Sequence, residues 1–246
     1  MRFYLLIVMY LSGLFIVSFT LTNALISYVL FAILTLLFVT YVAFGVSFMR
    51  LNLFLRSICR IDTLEREVAL TFDDGPDPEL TPQILELLKK YNAKATFFCI
   101  GSKIIGNEDL LRQLHHEGHS VGNHTYEHSI WFPIWAVSKM KQSIIKTDEI
   151  IEHVIGEKPK LFRPPFGVLN NLIAVAIKGL KKKCVGWTIR TKDTCRTPEE
   201  VMRLIKAKIR PGSIVLFHDT NVHIIKELEQ TLIYCKENNL ETVALR

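Results

Sequence analysis

The chain has 246 residues, enough for one sizeable core, with a formal charge of +6 and an apolar fraction of 49%, which is high for a globular domain. Both excesses sit in one stretch: Phe3 to Met49 carries no charge, and Arg2, Arg50, Arg56 and Arg60 are the only charged residues before Asp62. Taking those four from the 30 basic residues leaves 26 against 24 acidic ones, so the remainder is close to neutral and no nucleic acid partner is expected.

A membrane helix needs roughly 20 apolar residues, and the uncharged run is about twice that. Thr20, Thr22 and Asn23 interrupt it, which predicts two spans, residues 3–21 and 25–48, joined by a short turn. The four arginines flank the outer ends of this hairpin and the turn has none. The positive-inside rule then places both ends, and everything after them, in the cytoplasm. The alternative is a cleaved signal peptide over residues 1–24, with Thr22-Asn23-Ala24 as a poor cleavage site.

Residues 50–65 form a basic juxtamembrane segment. Leu51, Phe54, Leu55 and Ile58 share one helical face and Asn52, Arg56 and Arg60 another. Residues 50–60 are therefore expected either to lie along an anionic membrane surface or simply to continue the second span. The five cysteines are scattered without a Cys-x-x-Cys pair; Cys99 and Cys184 fall in predicted strands as buried thiols, which favours a reducing compartment.

From Val68 onward, short β-branched or aromatic runs alternate with amphipathic stretches. Seven strands are predicted: Val68–Phe72, Ala95–Ile100, His119–Asn123, Leu161–Arg163, Cys184–Thr188, Ser213–Phe217 and Glu241–Leu245. Thr81-Pro82 reads as the N-cap and first turn of a helix containing Ile84, Leu85, Leu87 and Leu88. Such alternation predicts an α/β fold on a mainly parallel sheet, a barrel or an open doubly wound sheet. In either, reactive residues gather where strands end.

Those ends carry Asp73-Asp74, His124 and His128, Arg163 to Gly167, Trp187 and Asp193, and His218-Asp219. Neighbouring side chains in a strand point to opposite faces, so the two adjacent aspartates are expected to serve different tasks. His124-Thr-Tyr-Glu-His128 sets two imidazoles at i and i+4, a spacing that puts both on one helical face. With Asp74 from the neighbouring loop they make a two-histidine, one-carboxylate set suited to catalytic zinc or another divalent metal. His115 and His116 read as a solvated helix end and His119 as a strand start, so none of the three is assigned to the metal.

Thr71-Phe-Asp-Asp-Gly-Pro76, His124-Thr-Tyr-Glu-His128, Arg163-Pro-Pro-Phe-Gly167, Trp187 with Asp193, and Leu216-Phe-His218 stand in the order of five motifs. Over residues 66–246 the chain thereby resembles the polysaccharide deacetylases, the NodB-homology domain or carbohydrate esterase family 4. The resemblance implies a distorted (β/α)7 barrel that is a metal-dependent hydrolase removing an N-acyl group, an acetyl, from an amino sugar. It implies Asp73 as general base, His218 as general acid, Arg163 pairing with Asp73, and Asp193 orienting His218. Asp74, His124 and His128 would hold the metal, Zn2+ first, with Co2+, Ni2+ or Mn2+ as alternatives. Pro165, Phe166 and Gly167 would bind substrate, the Phe166 backbone N–H serving the oxyanion, and Trp187 and Leu216 would line the acyl pocket. The chain departs from many members at Thr194, where an aromatic residue is common, and at Phe166, where tyrosine is.

A cytoplasmic domain on the bacterial inner membrane meets no cell-wall polymer. The expected substrate is therefore a lipid-linked amino sugar at the inner leaflet, as in the branch of the family acting on undecaprenyl-phosphate sugars, with membrane lipids as further partners. Lys178, Lys181, Lys182, Lys183, Arg190 and Lys192 would meet the polyprenyl phosphate or form a solvated helix end. Two alternatives stand beside it: an extracytoplasmic peptidoglycan or polysaccharide N-deacetylase, and an inactive membrane-bound sugar-binding protein.

Overall fold

The computed structural model describes residues 2–20 and 22–246; residue 21, the end of the first predicted span, lies outside them. Two apolar helices come first, α1 (Arg2–Thr20) and α2 (Ala24–Ser47), both long and apolar enough to cross a membrane. Asn23 caps α2 by accepting the Ile26 amide hydrogen, one of the donors that a helix start leaves open. The Tyr10 hydroxyl meets Thr35 Oγ1 at 3.0 Å and its ring stacks on Phe38, while Phe3 and Leu6 share a cluster with Val42 and Val46. The first helix begins where the second ends, so the pair is a hairpin with its outer ends on one side.

The segment after the hairpin neither continues α2 nor forms an amphipathic helix. A short 3-10 turn, Met49–Leu51, ends at Asn52 in the left-handed region, and Leu53 and Phe54 are buried against Ala174 and the hairpin base. Ile58 then bridges Val185, and Arg60 bridges Ser213. Irregular backbone prevails because its amides find partners in the globular part: Ile58 N–H donates to Cys184 O and Ile61 N–H to Gly212 O.

In chain order the remainder is β1 (Glu67–Asp73), α3 (Leu80–Lys90), β2 (Ala95–Cys99), α4 (Gly101–Ile104), α5 (Glu108–His116), β3 (Ser120–Asn123), α6 (Val137–Ile155), β4 (Leu161–Phe162), α7 (Asn171–Gly179), β5 (Lys183–Cys184), β6 (Ile189–Arg190), α8 (Pro198–Lys208), β7 (Ile214–His218), α9 (Ile224–Glu237) and β8 (Glu241–Thr242). The strands order as β5-β4-β3-β2-β1-β7-β6, with β8 added to the start of β1. Every ladder is parallel, so the loops after the strands open on one face.

Of the strand predicted over Cys184–Thr188, only Cys184 lies in a strand, β5, and Val185 makes an isolated bridge to Ile58; β6 begins after the predicted range, at Ile189, and β5 and β6 are the opposite ends of the sheet order. Only residues 185–188 separate them, a reach of at most about 18 Å. Both edges must therefore approach each other, which curls the sheet into the incomplete parallel barrel expected of a (β/α)7 fold.

Alternation sorts the strand residues. Val68, Leu70 and Phe72 of β1 face outward with Phe97, Val215 and Phe217 into the main core beneath the helices. Ala69, Phe98 and Ile214 fill the barrel's inner side with Val185 and Leu245. Helix α3 starts one residue before the predicted cap: Asp77 Oδ1 accepts the Glu79 and Leu80 amide hydrogens, and Thr81 is buried inside the first turn.

Candidate active site

Asp73 is the last residue of β1, and Asp74 follows with φ 76°. That left-handed step, tolerated by Asp, ends the strand alternation, so the two carboxylates do not point to opposite faces. Asp73 Oδ2 lies 3.8 Å from His124 Nε2, and Asp74 Oδ1 lies 3.5 Å from the same nitrogen. The turn is held from behind by Asp219, whose N–H donates to Asp73 O at 3.3 Å and whose Oδ2 accepts from Thr81 Oγ1 at 3.0 Å. Burial, aided by the charge of Asp74, pushes Asp219 up to about 7.

The His124–His128 segment is not helical: Thr125 has φ 68° and His128 φ 47°. Side chains shape the loop instead. Asn123 Oδ1 accepts the Thr125 amide hydrogen and Thr125 Oγ1 that of His128, giving the backbone bonds that a helix would otherwise supply. Gly101 and Ser102 N–H groups donate to Thr125 O and Tyr126 O, anchoring the loop on α4. The spacing that suggested a helical face is met by a turn, with the ring centroids 4.8 Å apart.

His124 Nδ1–H donates to Arg163 O at 2.7 Å, which fixes the tautomer and leaves the Nε2 lone pair facing Asp74. His128 Nε2 is 3.4 Å from Asp74 Oδ1. That carboxylate oxygen is buried yet accepts no hydrogen bond among the described residues. One ligand atom from each of the three residues lies within 4.8 Å of the others. An orphaned carboxylate oxygen facing two imidazole nitrogens fits a divalent cation, since a buried unpaired acceptor is otherwise costly. Burial alone would raise the Asp74 carboxyl, but His124, His128 and His218 hold it well below the usual range. Burial lowers His128.

Arg163 is wholly buried at the end of β4. Its Nη1 donates to Asp73 Oδ1 at 2.6 Å and Thr71 Oγ1 at 2.9 Å, its Nη2 to Gly186 O and its Nε to Val185 O; the guanidinium also lies over the Phe98 ring at 4.1 Å. Opposite stands His218, at the end of β7. Its Nδ1 donates to Asp193 Oδ1 at 2.8 Å and its backbone N–H to Asp193 Oδ2 at 2.7 Å. Burial opposes its charge, but Asp193, with Asp73 and Asp74 beyond, raises His218 to about 9.

Pro165–Gly167 form a 3-10 turn with Phe166 at φ 60°, and the Phe166 ring sits 4.6 Å from that of His128. A side chain at Gly167 would meet Trp187 Cη2 at 2.1 Å, at φ 70°, so the turn and the indole pack with no room for a methyl. Leu216 is buried on β7 beside Thr71 of β1. The structure thus brings together Asp73, Asp74, His124, His128, Arg163 and the His218–Asp193 pair, with the Phe166 turn against His128 and Trp187 against that turn. Of the predicted phosphate group, Lys182 is withdrawn: its Nζ is buried against Asp148 Oδ1 at 2.6 Å. Sequence alone gives no role to Thr71, Asn123 or Asp219: Asn123 and Asp219 are small polar residues at or beside a strand end, and Thr71 is a polar residue within the apolar run of β1.

A model of the family described as polysaccharide deacetylase matches residues 60–185. The peptidoglycan-N-acetylglucosamine deacetylase PgdA of Listeria monocytogenes is 35% identical over 181 residues, 73% of this chain and 38% of that protein. The chain therefore spans well under half the length of that relative. A chitooligosaccharide deacetylase of Azorhizobium caulinodans is 32% identical over 65% of this chain and 77% of its own. Among solved structures, the Bc1960 peptidoglycan N-acetylglucosamine deacetylase superposes with a TM-score of 0.71 at 33% identity, covering 76% of this chain and 89% of that one.

Proposed function

Because the chain belongs to the polysaccharide deacetylase family, we propose that it hydrolyses the N-acetyl group of an amino sugar, with residues 66–246 as the catalytic domain. The observation that carries this is the pair of acid–base groups flanking the Asp74–His124–His128 cluster, Asp73 locked by Arg163 and His218 locked by Asp193.

Asp73, positioned by the Arg163 guanidinium, accepts a proton from the attacking water. The Phe166 N–H, which donates to no acceptor among the described residues, is available to the oxyanion. His218, protonated near neutral pH, gives its proton to the leaving amine, and Trp187 with Leu216 bounds the acyl group. Asp74, His124 and His128 would hold a divalent cation, which would supply water acidification and carbonyl polarisation when bound; Zn2+ is compatible with two histidines and a carboxylate.

The finer reading is a lipid-linked amino sugar as substrate, with residues 1–49 as a membrane hairpin and the catalytic domain at the inner leaflet. It rests on where the hairpin ends. Leu169 N–H, two residues beyond Gly167, donates to Val46 O of α2 at 3.1 Å, so the active-site turn abuts the last turn of the second apolar helix. Ile130, Trp131 and Ile134, in the loop following His128, are exposed, as suits a membrane interface. Tethering raises the encounter rate with a substrate confined to the same surface.

The relatives' names favour a second reading, an extracytoplasmic peptidoglycan N-deacetylase. Purified full-length protein given a polyprenyl-phosphate-linked N-acetylated amino sugar should remove one acetyl mass; activity confined to peptidoglycan or chitin oligomers would establish the second reading. Alkaline phosphatase activity from a fusion after Arg246 would overturn the cytoplasmic placement.

A further inference from the structure

Where the chain leaves α2, Ser47 to Arg50 form one wall of a groove of about 250 Å3. The facing wall carries Trp187, Arg190, Lys192, Arg196 and Lys208. Five cations thus line the groove and no carboxylate does. Among the described residues none of the five lies within 4 Å of an acidic side chain, unlike Lys90, Lys182 and Lys226, which are all paired. Like charges gathered around a concavity repel one another and focus a positive potential into it. A multivalent anion relieves that cost.

Two further features narrow the anion. The groove starts at the residue where the apolar hairpin ends, so its ligand is one held at a membrane surface. It is also linked to the reaction centre through two rings: Arg190 stacks over Trp187 at 5.3 Å, Trp187 packs on Gly167, and the preceding residue, Phe166, packs on His128. We propose that this groove binds the phosphate of a lipid-linked amino sugar, the arginines giving forked hydrogen bonds and the lysines point charge, while the sugar passes Trp187 to the active site. This rests on the lipid-linked reading above. Of the six basic residues that sequence offered for this task, only Arg190 and Lys192 line the groove.

The test uses full-length protein in phosphatidylcholine nanodiscs, with farnesyl phosphate, farnesol and inorganic phosphate as probes. Lys192 and Lys208 are exposed, so the Lys192→Gln/Lys208→Gln variant removes charge without disturbing packing, and metal content checks its fold. Farnesyl phosphate is expected to bind more tightly than farnesol or inorganic phosphate, and its Kd to rise about tenfold or more in the variant. Equal affinity in both proteins, or no preference over farnesol, overturns the proposal. Competition by phosphatidylglycerol as strong as that by farnesyl phosphate assigns the groove to bilayer head groups and also overturns it. Turnover is read separately: groove-dependent binding without deacetylation of the lipid-linked sugar supports the groove and refutes the substrate reading.

Discussion

Arg163 Nη1 donates to one carboxylate oxygen of Asp73 at 2.6 Å, while the other oxygen stays 3.8 Å from His124 Nε2. Both partners are closed off from water. One oxygen is fixed by a buried cation and the other faces the Asp74–His124–His128 cluster, an arrangement that aims the proposed base. Asp73→Asn should keep the bound metal and lower turnover by about 10² to 10⁴. It should also destabilise the fold by about 3 kcal/mol, since Arg163 is left buried without its counter-charge. Metal analysis, steady-state kinetics and denaturant unfolding check the three parts.

His128→Ala should lose metal and turnover together, because His128 supplies a ligand atom and its ring is otherwise only partly buried against Phe166. Equal metal loss in His128→Ala and Asp73→Asn would refute the division between ligand and base.

His218 is raised to about 9, so the acid form is present below that pH and lost above it. kcat/KM should therefore fall as pH rises through about 9. Asp193→Asn removes the main partner that holds the proton against burial, leaving only the more distant Asp73 and Asp74, so the fall should move toward neutrality. A pH–rate profile of the two proteins measures the shift.

Much of this site was legible in the sequence because parallel strands end on one face, and the long apolar runs of β1 and β7 mark the strands that end at Asp73 and His218. What was not legible is local backbone shape. The i and i+4 histidines suggested a helix, but Asn123 and Thr125 offer the backbone competing hydrogen bonds and produce a turn. Cys184–Thr188 read as one strand because hydrophobic pattern carries no information about which sheet edge a residue joins; residues 185–188 are instead the link between the two edges, β5 and β6. Residues 50–60 have a helical apolar pattern, yet their apolar side chains and amides meet the globular part. Tertiary partners decided each case.

Gly167→Ala should cost about 1–3 kcal/mol and lower kcat/KM, because the added methyl would sit 2.1 Å from Trp187 Cη2 at φ 70°. Pairing it with Trp187→Phe should recover part of the stability, and a double-mutant cycle reads the coupling. Additive effects would show that the glycine is required for its backbone alone.

Asp74, His124 and His128 are expected to hold one divalent ion that the deacetylation requires. Acetate release from an N-acetylated amino sugar should vanish after chelation and return in proportion to Zn2+ added, levelling at one ion per chain. Acetate release that survives chelation, or a chain loaded with one ion and fully folded that releases none, would contradict it.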